Sequence, residues 1–204
     1  MSEEILVQSM ENIENGEIPV ISFPSEKAWE LWLDQNHTTS KGVWLRFYKK
    51  GSGVATVVYN DALDVALCYG WIDGQLKTFD AKSYIQRFTP RRSKSIWSKR
   101  NIERVALLEK QDRMKPAGLK EVEMAKVNGN WEMAYDSPSK MTIPEDFLHE
   151  LSKNKKAMSF FESLNKANQY AIVWRLQTAK KPETRMKRMK EILEMLAKGE
   201  KFHS

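Results

Sequence analysis

GWIDGQLKTFDAKSYIQRFTPRRSKSIWSKRNIER, residues 70–104, holds the strand pair around which the rest of the chain has to be arranged. Leu76–Phe79 and Ser83–Phe88 are rich in β-forming residues and are joined by Asp80-Ala81-Lys82, which predicts two antiparallel strands. Because side chains alternate along a strand, Tyr84, Gln86 and Phe88 share one face of the second strand and Ser83, Ile85 and Arg87 the other. Thr89-Pro90 ends it. Upstream, Asp73-Gly74 reads as a tight turn. Downstream, Ser98 can cap a helix with Ile102, Val105, Ala106 and Glu109 on one side.

Moving toward the N-terminus, Asn60 or Asp61 can cap a second helix that carries Ala62, Leu63, Val65, Ala66, Leu67 and Tyr69. It is apolar nearly all round and therefore buried, and Gly70 suits the left-handed residue that ends it. Val43–Tyr48 is a further strand, closed by Lys49-Lys50-Gly51-Ser52-Gly53. Ile18–Phe23 is a short entering strand. Ser25 caps a helix whose apolar face is Trp29, Trp32 and Leu33, and which stops near Asn36-His37. Residues 1–17 are acidic and polar, a flexible arm.

Toward the C-terminus the pattern becomes helical throughout. Pro116 favours the first turn of a helix that runs to Asn128-Gly129. Tyr135–Met141 has the turn residues of a linker, and Thr142-Ile143-Pro144-Glu145 has capping-box spacing with Pro144 just inside the next helix. Phe160, Phe161, Leu164, Tyr170 and Trp174 supply large core residues. Pro182 opens a last helix whose stripe is Met186, Met189, Ile192, Leu193 and Leu196, and Gly199 terminates it. The fold class is α+β, an N-terminal helix/antiparallel-sheet unit followed by a small all-helical C-terminal unit. The expected division is an arm over 1–17, an α+β domain over 18–135, a linker over 136–145 and a helical region over 146–204.

The chain has 204 residues and a net charge of +6, distributed unevenly. Residues 1–81 carry −6, 82–104 carry +7, 105–150 carry −3 and 151–204 carry +8. Two basic regions on an otherwise acidic body say more about partners than the overall charge does. Cys68 is the single cysteine, which excludes an internal disulfide and a cysteine-rich metal site. The N-terminus lacks the apolar core of a signal peptide, and no apolar run approaches the ~18 residues of a membrane span. The expected compartment is the cytoplasm, with no membrane insertion.

Catalytic constellations are scarce. His37, His149 and His203 have no second ligand at metal spacing, so no metal and no cofactor is expected. Cys68, inside the apolar helix, reads as core packing rather than as a nucleophile. No nucleophile elbow, phosphate-binding loop or dinucleotide fingerprint occurs, and no catalytic residue is assigned.

What remains is a dense aromatic–basic segment. Asp73 either satisfies its own turn, pairs with an arginine, or acts as a base if desolvated. Arg87, Arg91, Arg92, Lys94, Lys99 and Arg100 follow, the last two in the first turn of a helix where cations oppose the helix dipole. That placement points to a nearby anion, either a protein carboxylate in an internal network or a ligand. Trp71, Asp73, Tyr84, Arg87, Arg91, Arg92, Trp97, Lys99 and Arg100 form the candidate ligand-binding set. A secondary anion site is the basic corner with Lys180, Lys181 and Arg185 beside the start of the last helix.

The succession EKAWELWL, SKGVWLRFYKK, YNDALDVALCYGWIDG, YIQRFTPRRSKSIWSKRN and TAKKPETR, between about Phe23 and Lys198, resembles the bacterial YdeI/OmpD-associated family, also called bacteriocin-protection proteins. Its C-terminal helical part, here about Asp146 to Lys198, is the portion that carries the family name. The resemblance implies no enzymatic activity and no catalytic residues. Many bacteriocins are cationic, and a chain of charge +6 would repel them at long range, so simple sequestration is disfavoured. The expected function is a non-enzymatic cytoplasmic binding protein linked to bacteriocin or stress tolerance. Its partner would be an anionic small molecule or an acidic protein. The alternatives are nucleic-acid binding through the two basic regions and an enzyme using Asp73 with an arginine clamp.

Overall fold

The computed structural model describes residues 9–11, by their backbone, and 18–203. The rest of the arm expected over 1–17 lies outside the described residues. The class is α+β, with five strands and eight helices among the described residues. The chain forms two compact units, one comprising residues up to Ser95 together with Glu103–Asn128, the other Ile96–Ile102 together with Gly129–Ser204. The second unit thus begins ahead of the 136–145 linker and takes in a piece of chain from before it.

The first unit holds a sheet of strands β1 (Ser9–Glu11), β2 (Val20–Ser22), β3 (Val43–Tyr48), β4 (Trp71–Thr78) and β5 (Ser83–Pro90), ordered β1-β2-β3-β5-β4. Neighbours are antiparallel except β2 and β3, which run parallel. Helix α1 (Glu26–Asn36) lies between them in sequence and supplies the crossover a parallel pair needs. Its start is fixed by Ser25, whose hydroxyl accepts from the Ala28 amide at 3.2 Å.

Helix α2 (Tyr59–Cys68) begins before the expected cap, with Val58 at the N-cap and no side chain closing it. The Asn60 side chain accepts instead from Arg104 at 2.7 Å. Gly70, at φ +73°, ends this segment as expected and leads directly into β4.

Strand β4 corrects the reading of Asp73-Gly74 as a turn. The strand starts at Trp71 rather than Leu76, pairs Trp71 with Pro90 and Asp73 with Phe88, and shifts register between Asp73 and Leu76. Gly74 sits in that irregularity, a common place for a glycine within a strand.

The core of this unit is aromatic. Trp29 and Trp32 stack at 5.4 Å, and Trp71 meets them edge-on at 6.4 and 5.9 Å. Phe88 packs against Trp29 at 5.8 Å. The indole N–H groups do not go unpaired: Trp29 donates to the Ala62 carbonyl at 3.0 Å and Trp71 to the His37 carbonyl at 3.2 Å. Each such ring contributes about 1.5–3 kcal/mol by leaving water. Helix α3 (Lys99–Lys110) spans the boundary between the units, and α4 (Pro116–Val127) has Pro116 in its first turn.

In the second unit, Trp97 packs on Trp131 at 5.0 Å and Ser98 bridges Tyr135 in parallel. Ser98 caps α3, accepting from the Asn101 amide at 3.2 Å. Helices α5 (Glu145–Ser152), α6 (Lys155–Ser163), α7 (Lys166–Gln177) and α8 (Pro182–Ala197) follow. Asn154 and Asn165 cap α6 and α7 through their side-chain oxygens. The capping box expected at Thr142 is not made: Pro144 itself is the N-cap of α5, without a side-chain bond. Phe147, Leu151, Phe161, Ile172, Leu176, Ile192 and Leu196 form the core. Met186, expected in the stripe, is 63% exposed, whereas Tyr170 and Trp174 are half-buried.

Candidate functional site

Cross-strand partners share a face, so the register sorts the sheet into two surfaces. On one side lie Val43, Leu45 and Phe47 with Phe88, Gln86 and Tyr84, together with Asp73. This face meets the helices: Trp29 of α1 packs on Phe88, and Tyr59 of α2 packs on Phe47. On the other side lie Trp44, Arg46 and Tyr48 of β3, Ser83, Ile85 and Arg87 of β5, and Lys77 of β4. Trp44, Tyr48 and Arg87 are half-buried there and Lys77 is exposed.

This second face, on which Ser83 and Ile85 are buried, is built largely from rings and cations. The Arg46 guanidinium lies between Tyr48 and Phe79, 4.7 and 4.3 Å from the ring centroids. It donates to Asp80 at 2.6 Å and to the Ser83 hydroxyl at 3.0 Å. Ser83 in turn donates to Asp80 at 2.8 Å. The hydrogen bond from the Ser83 hydroxyl, joined by the Lys82 amide and Arg46, outweighs the opposing desolvation and holds the Asp80 carboxyl below its ordinary range. Arg46 is therefore a fixed structural cation, fully committed to the protein.

Its neighbours are not committed in that way. The Lys77 ammonium sits 4.8 Å from the Trp44 ring centroid. Arg87 lies directly across from Trp44, and its Nε is buried without a hydrogen-bond partner. Neither has a carboxylate partner among the described residues. An indole flanked by two such cations can take a planar group on its face and an anionic group at its edge.

The candidate set from the sequence is distributed more widely. Trp71 is 1% exposed, inside the aromatic core. Asp73 accepts from the Tyr59 hydroxyl at 2.8 Å and the Gln86 amide at 3.0 Å, on the helix-covered face. Tyr84 shares that face and stacks on Phe47 at 5.2 Å, and burial raises its hydroxyl pKa. Arg87 points to the opposite face, so strand geometry does not assemble a clamp of Asp73 with Arg87. Arg91 is buried, with its amide donating to the Gly70 carbonyl at 2.9 Å, and Arg92 and Lys94 are exposed. Trp97, Lys99 and Arg100 belong to the second unit. There Trp97 is buried, Arg100 is exposed, and Lys99 donates to Asp136 at 2.8 Å. The anion anticipated beside the first turn of α3 is, for Lys99, this protein carboxylate. Burial works to raise Asp136, but the hydrogen bonds from Lys99 and Gln177 outweigh it and keep its carboxyl below the usual range.

Residues 140–199 match the family model described as Bacteriocin-protection, YdeI or OmpD-Associated. Residues 21–121 match a separate model described as a domain of unknown function (DUF8412). No curated protein and no solved structure matches the chain.

Within the YdeI/OmpD-associated region, the basic corner is partly tied up. Arg185 makes a two-pronged ion pair with Asp146, the second bond being 2.8 Å, while Lys180 and Lys181 are exposed. Those bonds, only partly offset by desolvation, hold the Asp146 carboxyl low. The second unit contains a groove of about 1050 Å³ between the Tyr135–Met141 segment and α7, walled by Tyr135, Tyr170 and Trp174. Sequence reading treated its first wall as linker and the other two rings as core. The spacing of Tyr170 and Trp174, one turn apart on α7, was the available signal. Among the described residues, no helix is long and apolar enough to cross a membrane.

Proposed function

We propose that the protein is a non-enzymatic cytoplasmic binding protein with a role in bacteriocin or stress tolerance. Its ligand is an anion with a planar group, held on the open face of the sheet. Trp44 provides the stacking surface, and Lys77 and Arg87 provide the charge. The observation that carries this reading is the contrast on one face between Arg46, locked by Asp80 and two rings, and Lys77 and Arg87, which have no carboxylate partner among the described residues. Cations without a counter-ion among the described residues, beside a half-buried indole, are suited to an external anion. The family description of residues 140–199 supports the link to bacteriocin tolerance. The excess of basic residues makes direct capture of a cationic bacteriocin the less favoured route.

The test is a calorimetric titration with nucleoside monophosphates and aromatic carboxylates at low salt, on the wild type and on a Lys77→Ala/Arg87→Ala double variant. Saturable binding that the double variant loses while its melting temperature stays close to wild type supports the site. A response unchanged in the double variant, or none in the wild type, removes it.

The same observation favours a second reading, a single-stranded nucleic acid lying across the sheet. Rings on an open sheet face are the usual platform for unpaired bases. That reading predicts binding of an unstructured oligonucleotide that weakens steeply with salt and exceeds the affinity for any single nucleotide.

A further inference from the structure

We propose that the groove in the C-terminal unit is a second binding site, specific for a small molecule with an apolar planar body and one anionic group. The site is independent of the sheet face, since all of its lining residues lie in the second unit. Its volume of about 1050 Å³ is at the upper end of the range that takes small organic ligands.

The walls set the body of the ligand. Tyr135 and Trp174 meet edge to face at 6.1 Å, and Met141 and Pro138 add apolar surface beside them. Rings at this angle leave room for a third ring to stack or insert. The walls are also held in place. The Tyr170 hydroxyl donates to the Asp136 carbonyl at 3.0 Å, and the Asp136 carboxylate accepts from Gln177 at 2.8 Å and from Lys99. A groove fixed in this way does not have to order its side chains when a ligand arrives, which favours binding.

The rim sets the charge. Lys166, in the first turn of α7, is exposed, and no carboxylate pairs with it among the described residues. Among the described residues neither Asp nor Glu lines the groove, and His203 adds a ring that can donate a hydrogen bond. Asp136, the nearest acid in sequence to the first wall, is already neutralised by Lys99 and does not line it. An apolar slot with a lone ammonium at its rim discriminates for an anionic head on a planar body and against a neutral or cationic one.

The experiment uses the full chain and two dyes of similar shape, anilinonaphthalene sulfonate and the uncharged phenylnaphthylamine. The proposal expects one saturable sulfonate-dye site on the folded protein in the Lys77→Ala/Arg87→Ala background, where the sheet face no longer contributes. Lys166→Glu should weaken it by about tenfold or more, because an ammonium is replaced by a repelling charge. Phenylnaphthylamine should bind more weakly and change less than about twofold in that variant. Trp174→Leu, which shortens a wall without introducing charge, should weaken both dyes. The Lys77→Ala/Arg87→Ala variant should lose any dye held on the sheet face and keep the sulfonate-dye site that Lys166→Glu and Trp174→Leu weaken, which separates the two sites.

Equal affinity for the two dyes, an unchanged sulfonate affinity in Lys166→Glu, or loss only in the sheet-face variant would each overturn the assignment. So would a groove that takes an amphipathic helical peptide and neither dye, since its occupant would then be a protein.

Discussion

Gly118 of helix α4 lies directly against the end of helix α2, where a β-carbon would come within 2.2 Å of the Cys68 carbonyl oxygen. The atom in the way is backbone, and it belongs to a helix whose side chains fill the core of the first unit. Relief therefore requires the two helices to separate. Gly118→Ala is expected to destabilise the protein by about 3 kcal/mol, the upper end of ordinary overpacking, despite the better helix propensity of alanine. Urea denaturation of the two proteins measures this directly. A loss below about 0.5 kcal/mol would mean that α4 can move away freely.

The thiol of Cys68 should be inert. Burial raises its pKa to about 11, with Glu30 and Asp64 adding to the effect and Arg113 and Lys115 opposing it. A thiol reagent at neutral pH should label the native protein only at the rate of unfolding, and label it fully in denaturant. Rapid labelling of the native state would place the side chain in a much more open environment.

Asp136 predicts an acid-labile contribution to stability. Its folded pKa is depressed, so the carboxylate stabilises the fold above the unfolded value of about 3.9 and loses that effect as pH falls through the lower folded value. Asp136→Asn should cost about 1–2 kcal/mol at neutral pH, where Lys99 loses its partner. The gap between the melting temperatures of wild type and variant should narrow below about pH 4. A gap that widened with acid would have the wrong sign.

The cations of the open sheet face should divide into two classes. Arg46→Ala removes two ring contacts and the guanidinium hydrogen bonds to Asp80 and Ser83, an expected loss of about 2–3 kcal/mol. Lys77→Ala and Arg87→Ala should each change stability by no more than about 1 kcal/mol. Thermal denaturation of the three variants side by side tests the division. Equal losses would mean that Lys77 and Arg87 are structural as well.

Much of the scaffold could be read from local chemistry. Ser25 and Ser98 announce two helix starts, Gly70 and Gly199 two ends, and the alternation from Ser83 to Phe88 gives one strand correctly by face. Asp73-Gly74 misled because the pair has the chemistry of a turn, and only its partners, Phe88 and the Gln86 side chain, make it strand. The binding face was harder to see for a different reason. In Val43–Tyr48 large side chains alternate on both faces, so the pattern marks a strand without saying which rings are open. Arg87 was found because it lies among other arginines. Trp44 was missed because β3 is distant in sequence and only the register brings it beside Arg87, and Lys77 because nothing on its own hairpin shows that its ammonium meets Trp44.

Helix α3 carries a consequence for anyone who would treat the two halves as exchangeable modules. Ile96–Ile102 falls within the span of the first family match yet is packed as part of the second unit, supplying Trp97 against Trp131 and Lys99 against Asp136. A C-terminal fragment begun at Gly129 would retain the whole of the YdeI/OmpD-associated match and still lack that strip. Transplanted alone, it would expose the Trp131 ring and leave the Asp136 carboxylate without its lysine. Domain-swapped chimaeras of this protein therefore need two junctions in each parent, one on either side of Ile96–Ile102 and its partner segment, rather than a single splice.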